Sequence, residues 1–123
     1  MRRTTIALIV FGFASIGAPV SSAAQARFDE LLTRAERTEF TETSSYEDVV
    51  ELATRIAEMS QDIHMTTFGY TNEGRALPLL IVGAPDATPE SVLGTGKTRV
   101  YIQGNIHAGE VCGKEALLML LRR

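Results

Sequence analysis

The chain has one cysteine, Cys112, so it cannot close an intramolecular disulfide, and its stability has to come from packing or from a bound metal. Cys112 itself reads as a small apolar residue in the first turn of a helix, because a nucleophilic thiol needs a base beside it. Long apolar runs are scarce as well. The block from Ile6 to Ile16 falls short of the roughly 20 residues that a membrane-spanning helix needs. Basic charge is in short supply: without residues 1–23, which carry two of the 12 basic residues and none of the acidic ones, 10 basic residues face 15 acidic ones, a net charge of −5. A mildly acidic protein is a poor partner for nucleic acid or for anionic membrane surfaces. No internal repeat and no low-complexity tract is visible.

What is present begins with a targeting pattern. Met1-Arg2-Arg3, the apolar block and then Ser21-Ser22-Ala23-Ala24 follow the order of a secretory signal peptide, which predicts cleavage after Ala23 or Ala24 and a periplasmic or extracellular destination. An uncleaved N-terminal anchor is the alternative, and Arg2-Arg3 gives only a weak hint of twin-arginine export. After cleavage no stable membrane insertion is expected. Residues 24–43 read as a lead-in helix and linker, with Phe28, Leu31, Leu32 and Ala35 recurring at helical spacing between Ala26 and Phe40.

The segment Thr41 to Ser45 breaks that pattern, and Ser44 with Glu47 has the form of a capping box. Val49, Leu52, Ala53, Ile56 and Met59 then make one stripe, which predicts a helix from about Tyr46 to Met59. Beyond Asp62 the pattern turns to β-rich runs at His64–Tyr70, Ala76–Val82 and Thr98–Gln103. The first two flank Thr71-Asn72-Glu73-Gly74-Arg75 and should pair as an antiparallel hairpin. The near-continuous apolar run Leu77 to Val82 suggests burial on both faces, and 83–97 reads as a loop. A last helix, from about Glu110 onward, has almost no polar face before Arg122-Arg123. Such a helix needs cover on every side, which the preceding elements cannot supply; the expectation is a domain truncated after its front part.

His107 and Glu110 fall where the third strand ends and the last helix begins. Imidazole nitrogen and carboxylate oxygen are both good zinc donors, a spacing of three lets them converge, and Gly109 leaves the backbone free to bend. The helix dipole favours the ionised form of a Glu in the first turn. The competing explanation is a His hydrogen-bonded at a strand end and a Glu capping its own helix.

Taken in order, Tyr46-Glu47-Asp48-Val49-Val50-Glu51-Leu52, Phe68-Gly69-Tyr70-Thr71-Asn72-Glu73-Gly74-Arg75, Leu79-Leu80-Ile81-Val82-Gly83 and Gly104-Asn105-Ile106-His107-Ala108-Gly109-Glu110 resemble the start of the zinc metallocarboxypeptidases. The resemblance implies an α/β protein whose residues 44–123 are the N-terminal part of a mixed-sheet α/β/α domain. It also implies a catalytic Zn2+ with His107 and Glu110 as its first two protein ligands and a peptide or peptide-like amide as substrate. The third ligand, a His, together with the general-base Glu and the Arg that binds the substrate's terminal carboxylate, is implied downstream of residue 123. No catalytic residue other than the two ligands falls in this chain, which by itself is expected to be inactive. One departure concerns specificity: Gly109 stands where pancreatic-type relatives often carry an Arg of the substrate site. The rival readings are a zinc deacylase of the aspartoacylase or succinylglutamate desuccinylase type, against which Ala108 and the Glu-Gly-Arg turn weigh, and a non-catalytic peptide- or carbohydrate-binding relative.

Two further signals carry no site. Gly94-Thr95-Gly96-Lys97-Thr98 imitates the end of a phosphate-binding loop, but the required first Gly is Ser91 and a strand, not a helix, is predicted to follow. His64 starts a strand and reads as a surface residue, not as a third zinc ligand.

Overall fold

The computed structural model describes Phe28 and residues 30–123; the predicted signal peptide lies outside the described residues. Among the described residues the elements with defined bounds follow in the order α1 (Arg34–Arg37), α2 (Tyr46–Met59), β1 (Ile63–Tyr70), β2 (Ala76–Val82), α3 (Pro89–Gly94) and α4 (Val111–Leu120), and Phe28 is also helical. The class is α/β, as expected.

The helix predicted over Ala26 to Phe40 is interrupted: Ala26, Arg27 and Asp29 lie outside the described residues, Phe28 is helical, Leu31 to Thr33 are not, and α1 spans only Arg34–Arg37. The cause is Thr33, which holds an extended backbone and caps the helix: its hydroxyl accepts from Glu36 N–H while the Glu36 carboxylate accepts from Thr33 N–H. Glu39 and Phe40, both at positive φ, then turn the chain away.

α2 follows the prediction in its bounds but not in its cap. Ser45, not Ser44, is the N-cap, and its box partner is Asp48, not Glu47. Ser44 is one residue too early to reach the N3 amide, and it is buried and engaged elsewhere. The stripe of α2 does what its spacing requires: Leu52, Ala53 and Ile56 are buried, and Leu52 and Ile56 form the core with Leu31, Ile63 and Leu118. Each such aliphatic side chain contributes roughly 1.5–3 kcal/mol on burial.

The hairpin pairs in the register Ile63↔Val82, Met65↔Leu80 and Tyr70↔Ala76, with a bulge between Thr67 and Gly69. Its turn closes through Thr71 N–H to Arg75 C=O at 2.9 Å, and Gly74 supplies the positive φ of 77°. Arg75 lies over the Tyr46 ring, 5.7 Å from its centre, and the Tyr46 hydroxyl donates to Ala76 C=O at 2.9 Å. The Glu-Gly-Arg turn is thereby tied to the start of α2, a structural task. The predicted burial of β2 on both faces does not occur. α2 covers the Met65 and Leu80 side; Leu77, Leu79 and Ile81 are half-buried and Val82 is exposed.

The predicted third strand is absent from the described residues. Thr98–Gln103 makes no ladder, and Val100, Tyr101 and Ile102 are 78%, 66% and 59% exposed. Alternation encodes a preference for extended backbone; a strand also needs a neighbouring edge to bond, and none reaches this segment. Between it and β2 runs an open groove of about 550 Å³ lined by Leu79, Ile81, Val92 and Tyr101 among others. The predicted loop 83–97 contains α3, started by Thr88 as N-cap with Pro89 at its first position.

Candidate metal centre

α4 presents the His-x-x-Glu segment, and a close backbone contact sets the distance between them. A Cβ on Gly104 would stand 3.0 Å from Gly113 C, 3.0 Å from Lys114 N and 3.0 Å from Leu117 Cδ1. A side chain there would require the turn or the helix to give by a few tenths of an ångström, which glycine avoids. Asn105 takes a positive φ of 58°, a conformation that Asn tolerates better than most residues, and the chain turns out of the extended segment. It then closes a tight turn in which Glu110 N–H donates to His107 C=O at 3.0 Å.

That turn brings His107 Nδ1 and Glu110 Oε2 to 3.1 Å, with side chains 75% and 66% exposed. Glu110 is the N-cap residue of α4 but makes no side-chain cap bond. Its carboxylate faces His107 instead of the helix amides, contrary to the capping explanation. Donors about 2.0–2.2 Å from a four-coordinate zinc stand roughly 3.3 Å apart, so the two side chains fit neighbouring positions on such an ion. Among the described residues no group of three His, Cys, Asp or Glu side chains gathers around the pair.

The remaining candidates fall away. His64 is half-buried, not a surface residue, and its Nε2 lies 2.9 Å from Ala84 C=O. In the loop that imitates a phosphate site, Gly94 ends α3 instead of preceding a helix, and Lys97 donates to Gly83 C=O at 2.9 Å. Cys112 is exposed near the start of α4.

The group that the sequence pattern did not reveal is Glu115. It is buried, and its carboxylate accepts from Thr43 Oγ1 at 2.7 Å, Ser44 N–H at 2.6 Å and Ser44 Oγ at 3.0 Å. Lys114 stands beside it and donates to Ser44 C=O. Burial pushes the Glu115 pKa upward, but the bonds from Ser44 and Thr43 and the Lys114 charge outweigh it and hold the carboxyl below the ordinary glutamate range. A second pair, buried Arg122 with half-buried Glu36, joins the segment just after α4 to α1. The one available signal was two adjacent charges inside an otherwise apolar helix.

No curated protein and no solved structure matches the chain. The zinc carboxypeptidase family model matches residues 49–123, from α2 through the hairpin and the His107–Glu110 turn to α4. That match spans more than half of the sequence, and the chain belongs to the zinc carboxypeptidase family.

Proposed function

We propose that the full-length protein is an exported zinc-dependent hydrolase of peptide or peptide-like amide bonds in which His107 and Glu110 are two of the zinc ligands. The observation that carries this reading is the convergence of His107 Nδ1 and Glu110 Oε2 at 3.1 Å inside the family-matched segment, with the Glu110 carboxylate turned away from its own helix. Both are exposed to an incoming ion, and the turn that holds them is braced by the Gly104 contact with α4.

A zinc ion bound there would supply Lewis-acid activation of a carbonyl and of water. His107 and Glu110 would hold it, and α4 and the turn keep the two side chains in place. The third ligand, the general base and any carboxylate-binding Arg are supplied from outside these 123 residues. Exposed Phe68, Val82, Val100, Tyr101 and Ile102 support that reading, because they form the kind of apolar surface that further chain of the same domain covers. With Gly109 between the ligands in place of an Arg, selectivity for a free terminal carboxylate has to rest on other residues.

Metal analysis of the full-length protein tests the assignment. Wild type should carry about one zinc, and His107→Ala and Glu110→Ala should each lose it, together with hydrolytic activity, while keeping a cooperative thermal transition. Variants that retain stoichiometric zinc refute the ligand assignment. A wild type without zinc favours the non-catalytic binding relative.

A further inference from the structure

The helix that begins after Glu110 is held both by apolar packing of Leu118 in the core and by one buried carboxylate, Glu115. Of the hydrophobic side chains of α4 only Leu118 is fully buried, while Ala116 and Leu120 are exposed. Glu115, near the middle of the helix, receives three hydrogen bonds from Thr43 and Ser44, the two residues that precede the cap of α2. The neighbouring Lys114 takes the Ser44 carbonyl. Both backbone polar groups of Ser44 are therefore bonded by consecutive residues of α4.

Apolar contacts are non-directional and let a helix rotate or slide; hydrogen bonds to a fixed carboxylate do not. A Leu or Met at position 115 could fill the same space, but it would leave the Thr43 hydroxyl and the Ser44 N–H and hydroxyl without their acceptor.

The geometry points to Glu115 as a positioning residue for the metal site. Through Thr43 and Ser44 it fixes the rotation and height of α4 against α2, and so the place of Glu110 at the head of that helix. Through Lys114 N and Gly113 C, the backbone atoms against which Gly104 is pressed, the same helix fixes the turn that presents His107. Glu115 touches neither ligand and acts through α4. The inference rests on the reading of His107 and Glu110 as zinc ligands.

The test compares full-length wild type, Glu115→Ala, Glu115→Gln and His107→Ala. Zinc affinity is measured by competition with a chromogenic chelator, well below the thermal transition, where a loss of global stability leaves the folded fraction near one and cannot by itself alter affinity. Hydrogen exchange of residues 104–113 is followed in the metal-free proteins. Glu115→Ala should weaken zinc binding on the order of tenfold, the low end of what removing supports around metal ligands costs, and should speed exchange in the 104–113 segment. Glu115→Gln should restore most of the affinity, since its amide oxygen can accept from Thr43 and from Ser44 N–H while its NH₂ group meets the Ser44 hydroxyl oxygen. If Glu115→Ala does not fold, Ser44→Ala and Thr43→Val, each removing one bond, replace it; weaker zinc binding in both supports the role, and wild-type binding in both overturns it. Glu115→Ala with wild-type zinc affinity and wild-type exchange also overturns it. Retention of zinc by His107→Ala is a separate failure, of the ligand reading, and the metal-free exchange measurement still decides the positioning role.

Discussion

Gly104→Ala and Gly113→Ala, a pair of substitutions on the two sides of one contact, should have opposite outcomes. The added methyl at 104 meets three atoms at 3.0 Å, two of which, Gly113 C and Lys114 N, are backbone of α4 and cannot rotate aside. Ordinary carbon contacts begin near 3.5 Å, so the turn and the helix must separate by several tenths of an ångström. Overpacking of this kind costs about 1–3 kcal/mol. At roughly 2–8 °C per kcal/mol for domains of ordinary size, Tm should fall by several degrees or more. His107 is three residues further on, and its separation from Glu110 should open with the turn, so zinc affinity should fall as well. At 113 the added methyl stands 3.7 Å from Gly104 Cα, an ordinary contact, and Ala replaces Gly inside a helix, which favours the helix by roughly 0.5–1 kcal/mol. Gly113→Ala should therefore be neutral or mildly stabilising, and Gly109→Ala, with no atom within 4 Å of its Cβ, should leave Tm unchanged. Differential scanning calorimetry of the three variants in the metal-free protein checks this. Equal Tm for wild type and Gly104→Ala, or an equal loss in Gly104→Ala and Gly113→Ala, would refute the close-contact reasoning.

Acid should loosen the junctions of α4 in a defined window. In Glu36, as in Glu115, burial raises the pKa but is outweighed, here by Thr33 N–H, by the hydrogen bond and charge of Arg122 and by the Thr33 hydroxyl, so both carboxyls sit below the ordinary range. A depressed folded pKa means that their stabilisation is complete above the unfolded value of about 4.3 and is lost as pH falls through the lower folded value. Wild-type Tm should drop more steeply below about pH 4.3 than that of Glu115→Gln, and parallel Tm curves would contradict the assignment. Material recovered from the exported fraction should begin near Ala24, and N-terminal sequencing that finds Met1 retained overturns the cleavage prediction.

The elements legible in the sequence are those whose causes lie within a few residues. The stripe Val49 to Met59 carries the period of a helix with one buried side, and the Asn-Glu-Gly turn between two β-rich runs has a single economical solution, so α2 and the hairpin formed where expected. The spacing of His107 and Glu110 likewise identified two donors able to converge, because three residues across a short turn leave few other arrangements. Where a local signal was ambiguous by one residue, as with Ser44 and Ser45, the cap went to the residue whose hydroxyl reaches the N3 amide.

Contacts across the chain decided the rest. Thr98–Gln103 has the alternation of a strand, yet a ladder requires a partner backbone, and the nearest edge, on β2, lies across an open groove. Ser44 became the socket for Glu115, 71 residues away in sequence, and no pattern within either segment announces that pairing. By itself the sequence determined the family, the helix and hairpin at its front and the identity of the two candidate ligands, since these follow from residue type and local spacing. Only the tertiary structure decided that the buried Glu115 of α4 bonds Thr43 and Ser44 and that Gly104 is pressed against the same helix, because hydrogen-bond direction and close approach depend on where distant segments meet.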